Sequence, residues 1–307
     1  MTEPTIQRAP AAPAKILFPT DGSDAARTAE AWISRLRWRD RAIVDVMSVA
    51  SKGITRMGWS MEGDRSSARQ AAEQLRQAEV IASERTANEA SLRFQEAGLR
   101  TRTLARQGDV AEEIIAVADA ERPSLVVLGP RGRSRIAQFF LGSVSRQIIE
   151  DVPSPVLVAR QPPTADGLLP QRALVLADGD RPAAAAVDWL ADTGLVADTH
   201  VVLLGLLGQP EGIEHEDPDL ADRVYDSLRS DAGASLEALA ARLEDQVADI
   251  ELEARTGHPF EATIDVAERV EPDLIVVARH RSRRGHAPFA EKITRYGTTS
   301  VLTIPEP

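Results

Sequence analysis

The chain has 307 residues, enough for two domains at about 100–200 residues each, and 43% of them are apolar and 27% charged, which excludes a disordered chain. It has no run of about 18 apolar residues to span a bilayer as a helix, and no cysteine for a disulfide, a thiolate metal site or a cysteine nucleophile. The net charge of −11 argues against general nucleic-acid binding, so an anionic ligand would have to be held locally, by backbone N–H groups or a few arginines.

Residues 1–13 carry three prolines and no apolar stretch of signal-peptide length. They read as a flexible tail, and a cytoplasmic protein is the default expectation. Lys15–Pro19 is a short apolar strand, with Thr20-Asp21-Gly22-Ser23 as turn and helix start. A helix over 25–36 and a strand over 42–49 follow. Residues 65–96 carry a long helical pattern whose apolar face is expected at Ala71, Leu75, Ala78 and Ala82, and Gly98 stops it. A strand over 99–105, a helix over 110–120 and the wholly apolar strand Leu125–Leu128 come next; such a run suits a parallel sheet covered on both faces. A helix over 142–150 and a strand over 155–159 complete the first half. Strands alternating with helices predict an α/β fold with a largely parallel sheet.

Residues 161–171, rich in proline and glycine, read as a linker. Beyond it the pattern repeats at an offset of 157, which lays Asp178-Gly179 on Asp21-Gly22, Trp189 on Trp32 and the 201–206 strand on 44–49. Residues 271–277 echo 122–128. A second long helix is expected to present Leu220, Val224, Leu228, Ala232, Leu236, Leu239, Leu243 and Val247 on one face. Around it, residues 211–253 hold fourteen acidic side chains against three arginines, read as a solvated face.

The segment after the Leu125–Leu128 strand carries the chemistry. Gly129-Pro130-Arg131-Gly132 is followed, nine residues on, by Gly142-Ser143-Val144-Ser145. Gly129 ends a buried strand where a small residue lets a ligand approach the backbone, and Ser143 is expected to cap the next helix. The first N–H groups of that helix are unpaired and its dipole favours an anion, so the pattern reads as a phosphate site built from backbone.

This spacing, G-x2-G-x9-G-S, resembles the ATP-binding signature of the universal stress protein family. The Lys15–Asp21 strand and turn, the Gly108-Asp109 helix entry and the closing stretch from Val152 to Val158 also match that family's pattern. The resemblance implies two tandem five-stranded parallel-sheet, Rossmann-like domains of strand order 3-2-1-4-5, over 14–160 and 172–307. It implies ATP, with Mg²⁺ on the phosphates, in the first. Pro19, Thr20, Asp21 and Val49 would line the adenosine, Leu128 and Gly129 would pass under the ribose, and Gly132, Gly142, Ser143 and Val144 would wrap the phosphates. Arg131, with Arg133 and Arg135, is this chain's own addition and could pair with phosphate oxygens. The two copies are expected to pair through Val156–Val158 and Val301–Ile304, which leaves room for a homodimer of whole chains.

In the second copy the expected alignment sets Ala177 on Thr20, Ala278 on Gly129, Arg281 on Gly132, Glu291 on Gly142 and Lys292 on Ser143, so this half is expected to have lost ATP. The Arg279–His286 stretch, dense in positive charge, could meet an anion or an acidic partner. Hydrolase signatures such as G-x-S-x-G, H-E-x-x-H and G-x4-G-K-[ST] are missing from the sequence. A nucleotide-dependent stress-response switch is therefore favoured. An interaction protein without nucleotide and a slow ATP hydrolase are the alternatives.

Overall fold

The computed structural model describes residues 14–51, 65–130, 141–161, 167–177, 181–207, 218–279 and 289–306. The first half runs β1 (Lys15–Pro19), α1 (Asp24–Ile33), β2 (Ile43–Ser51), α2 (Arg65–Glu96), β3 (Arg100–Gly108), α3 (Val110–Glu121), β4 (Leu125–Leu128), α4 (Ser143–Asp151) and β5 (Val156–Val158). The second half runs β6 (Arg172–Leu176), α5 (Arg181–Thr193), β7 (His200–Leu207), α6 (Pro218–Ala240), β8 (Asp249–Thr256), α7 (Pro259–Val270), β9 (Leu274–Arg279), α8 (Phe289–Tyr296) and β10 (Ser300–Pro305).

Local chemistry sets these boundaries. The Ser23 side chain accepts from Ala26 N at the start of α1, and Asp109 accepts from Ala111 N and Glu112 N at the start of α3. Gly98 ends α2 at φ +85°, a backbone shape that side chains with a Cβ resist. Every residue of β4 is buried, as befits a strand covered on both faces.

The strands form one ten-stranded sheet in the order β3-β2-β1-β4-β5-β10-β9-β6-β7-β8. Each half contributes five parallel strands. The two halves join as expected through their last strands: at the middle β5 and β10 pair antiparallel, Val158 opposite Val301 and Leu157 opposite Leu302. On one face of the sheet a single apolar core crosses this seam, from Phe18 and Trp32 to Leu190 and Leu302. On the other face each half keeps its own core, around Ile114 and Ile148 in the first and Val266 and Ile293 in the second.

Side chains reinforce the seam by meeting the C-terminal carbonyls of helices in the opposite half. Trp38 Nε1 donates to Thr193 O at 3.0 Å, and Arg41 donates to the same carbonyl. Arg160 donates to Thr294 O at the end of α8. Arg279 donates to Val152 O at 2.6 Å, just past α4. Cations at helix C-termini also complement the dipole.

Two expectations about helix faces need correction. Ala71, Leu75 and Ala78 of α2 are exposed and Ala82 is half-buried, whereas Ser83, Ala87, Ala90, Ser91 and Phe94 are buried. At 32 residues α2 is about 48 Å long, against about 30 Å for the nine-residue strands under it, so its N-terminal turns overhang the sheet. The second long helix stops at Ala240, so Leu243 and Val247 lie in the turns beyond it, although Leu236, Leu239 and Leu243 are all buried. The side chains of Leu220 and Val224 lie outside the described residues.

Candidate functional site

The parallel order places β1 beside β4, and the chain leaves these strands toward opposite sides of the sheet. A crevice therefore opens at their C-terminal ends, the usual ligand position in such sheets. A cavity of about 240 Å³ lies there. Its polar lining comes from Thr20 and Asp21 after β1, Gly129 after β4, and Ser145 on α4. Its apolar lining comes from Pro19, Leu128, Met47 and Val49 of β2, Val110 and Ile114 of α3, Ala26 of α1, and Val144 and Ile148 of α4.

The polar rim is shaped by local hydrogen bonds. Thr20 N donates to Met47 O at 2.8 Å, which holds the turn against β2. Asp21 Oδ1 accepts from Ser23 N at 3.0 Å and Thr20 Oγ1 accepts from Gly22 N at 3.2 Å, while Gly22 takes φ +75°. Asp21 thus folds the turn, and Ser23 is the residue that caps α1. On the other side Ser145 Oγ donates to Gly129 O at 3.2 Å, and Gly142 N donates to Pro130 O at 2.9 Å. These two bonds tie the start of α4 to the end of β4.

Ser143 does not cap α4. Gly142 is the N-cap and Ser143 the first helical residue, with no side-chain bond to the first turn. A glycine cap brings no side-chain acceptor to the early N–H groups.

Of the sequence-predicted residues, Pro19, Thr20, Asp21, Val49, Leu128, Gly129 and Val144 line the cavity, and Gly142 and Ser143 form the helix entry beside it. Arg131, Gly132, Arg133 and Arg135 lie outside the described residues. Sequence reasoning missed Ala26, Met47, Val110, Ile114, Ser145 and Ile148. Helical spacing was the available signal for two of these, since Ser145 and Ile148 share a face with Val144.

Gly129 is needed for a different reason from the one its place in the motif suggests. A Cβ there would stand 2.6 Å from Ala25 O and 2.8 Å from Ala25 Cβ, against the first turn of α1. The glycine permits α1 to pack on β4. Gly129→Ala should therefore destabilise the chain by about 1–3 kcal/mol, as forced overpacking does, in equilibrium denaturant unfolding. An unchanged midpoint would show that α1 shifts without penalty.

A larger cleft of about 700 Å³ opens at the N-terminal ends of β6, β9 and β10, among Trp32, Arg172, Glu268, Glu271 and Thr298. Its carboxylates disfavour a phosphate, and Asp273 at its edge is taken by Gln171 N and Arg172 N, both at 2.9 Å.

The equivalent place in the second half carries different residues. Sheet register equates Val126 with Ile275 and Val156 with Val301, so the segment between is four residues shorter in the second half. The helix ends agree: Val152 N donates to Ile148 O, and Gly297 N to Ile293 O. This corrects the expected alignment. Glu291 and Lys292 stand where Arg146 and Gln147 do, inside the helix, and the counterparts of Gly142 and Ser143 lie outside the described residues, as do Asp178, Gly179, Arg281 and His280–His286. Phe289 takes the place of Val144, and Phe260 that of Ala111. Lys292 Nζ lies 4.7 Å from the Phe260 ring centre, within cation–π range. Ala177 stands for Thr20, so a rim hydroxyl is lost, and Ala278 stands for Gly129.

Comparison with known proteins agrees with this architecture. The universal stress protein family model matches residues 14–160 and 170–305. A universal stress protein of Thermus aquaticus is 39% identical over 61 residues, 20% of this chain, and the chain spans 44% of that relative's length. One from Methanocaldococcus jannaschii is 21% identical over 153 residues, 48% of this chain and 94% of its own. The crystal structure of a universal stress protein from Archaeoglobus fulgidus superposes over 95% of this chain and 98% of that chain, with a TM-score of 0.61 at 18% identity, a likeness of fold. One family model matched in both halves, over the same parallel sheet in each, means that the chain belongs to the universal stress protein family as a tandem member.

Proposed function

We propose that the first half binds ATP in the β1/β4 cavity and that the chain is a nucleotide-dependent regulator of a stress response. Residues 14–160 form the nucleotide-binding unit in this reading, 161–171 the linker, and 172–307 a partner domain that binds no ATP. The observation that carries it is the glycine-capped start of α4 tied to the end of β4, beside a cavity with an apolar floor and Thr20, Asp21 and Ser145 at its rim. An apolar floor suits a base, and free helix N–H groups suit phosphate oxygens. Mg²⁺ would accompany the phosphates. No helix among the described residues is long and apolar enough to cross a membrane; a cytoplasmic place belongs to the same reading.

Calorimetry on the full chain with Mg²⁺–ATP tests this. Wild type should bind, and Gly142→Glu should weaken binding more than about tenfold, because it sets bulk and like charge at the helix start. Absence of binding in wild type, or equal affinity in the variant, would overturn the reading.

The same titration gives the stoichiometry. One ATP per chain is expected, since in the second half Ala177 stands where Thr20 does and Phe289 where Val144 does; two would show that the second half binds as well.

A further inference from the structure

Helix α4 touches both the cavity and the second half. Val144, Ser145 and Ile148 of α4 line the cavity. About 13 Å away along its nine residues, the other end meets the seam. There Arg279, the last residue of β9, donates Nη2 to Val152 O at 2.6 Å and to Ser154 O at 3.3 Å. Both carbonyls belong to the first half, one the C-cap residue of α4 and the other in the turn before β5.

This grip is held at a cost to the arginine. Arg279 is only 7% exposed, and its Nη1 has no hydrogen-bond partner among the described residues. Burial pushes its pKa down to about 10, against the pull of Asp151. A methionine would fill a similar volume without stranding a charge, and buried cations are often replaced by apolar groups at little penalty. What methionine would not do is hold the two carbonyls in one position.

A matched grip exists on the other side of the seam. Arg160, just after β5, donates to Thr294 O and Arg295 O at the C-terminal end of α8. That helix begins at Phe289, in the second half. Of these two arginine grips, the one made by Arg279 leads along a helix to the open cavity.

We propose that Arg279 couples the second half to ligand binding in the first, by fixing how deep the N-terminal turn of α4 stands in the β1/β4 cavity. This inference rests on the nucleotide reading above. Arg279 acts as a positioning residue: a rigid helix passes a displacement at one end to the other, so changes in how β9 meets α4 alter the cavity, and occupancy of the cavity in turn steadies the seam. Thermodynamic reciprocity requires the second effect once the first exists.

Full-length wild type, Arg279→Met and Arg160→Met would be titrated with Mg²⁺–ATP by calorimetry, with thermal unfolding measured in parallel. Arg279→Met should weaken ATP by about tenfold, within the usual range of coupling between sites, whereas Arg160→Met should change affinity by less than about twofold. Equal affinity in Arg279→Met and wild type, or an equal loss in both variants, would overturn the proposal, since a purely structural role would be shared. Should Arg279→Met fail to fold, Arg279→Lys carries the test. Its point charge lacks the guanidinium fork, so affinity should fall several-fold, and an unchanged value would again overturn the coupling. If wild type binds no ATP, the nucleotide reading fails by itself. Amide hydrogen exchange along α4 then decides the coupling: faster exchange in Arg279→Met or Arg279→Lys than in Arg160→Met supports it, and equal exchange refutes it.

Discussion

Replacing Trp38 with alanine should lower the unfolding free energy of the full chain by about 3–5 kcal/mol, the usual cost of emptying a buried tryptophan site. Trp38 is 1% exposed, although it belongs to the turns after α1 and not to a core element. Its ring meets that of Trp189 edge-on, with centroids 5.5 Å apart, and its Nε1 donates to Thr193 O at the end of α5. The variant therefore loses apolar burial, an aromatic pair between the halves and a hydrogen bond at a helix end. Arg41 still reaches Thr193 O, so that carbonyl keeps a donor. Trp38→Phe should cost less, because it keeps a ring and forfeits mainly the hydrogen bond. Equilibrium denaturant unfolding measures both variants, and a loss under about 1 kcal/mol for the alanine variant would mean that the remaining seam contacts hold the halves together without Trp38.

Arg102→Met is expected to cost about 3 kcal/mol, because it strands a buried carboxylate without its cation. The Asp45 side chain on β2 is 1% exposed, and Arg102 on β3 meets it with two parallel bonds, Nε to Oδ1 at 2.9 Å and Nη2 to Oδ2 at 2.8 Å. The pair holds the guanidinium above its ordinary pKa, mainly through the Asp45 bond. Asp45→Val combined with Arg102→Met should restore most of the loss, because it removes the buried charge together with its cation; the second half likewise buries no carboxylate there, since Val202 stands where Asp45 does. A double variant as unstable as the single one would refute this account.

The sheet was legible in the sequence because fully buried strands leave unbroken apolar runs, as in Leu125–Leu128 and the stretch Leu274–Val277. The buried face of α2 was not. Alanine packs well on either side of a helix, and the seam between α2 and the sheet uses Ser83 and Ser91, while Leu75, Ile81 and Leu92 face solvent. In the cavity, glycine spacing pointed to the backbone of β4 and α4. Met47, Ile114 and Ile148 carry no such mark, because an apolar side chain lining a cavity looks in sequence like one filling a core. The shift of Glu291 into α8 was hidden for another reason: a loop four residues shorter cannot be seen until strand register fixes both of its ends.

The antiparallel meeting of β5 and β10 has a consequence for how the two halves can change. In a dimer of identical subunits each substitution appears twice, once on either side of the twofold axis, so a residue that blocks one cavity blocks both. Here one chain supplies both sides of the axis, and the constraint is lifted. Val144 lines the cavity of the first half, while Phe289 stands at the equivalent position in the second. Being tethered, the partners meet at an effective concentration that dilution does not lower. Every molecule therefore carries one half of each kind, in a fixed ratio that no exchange of subunits can scramble.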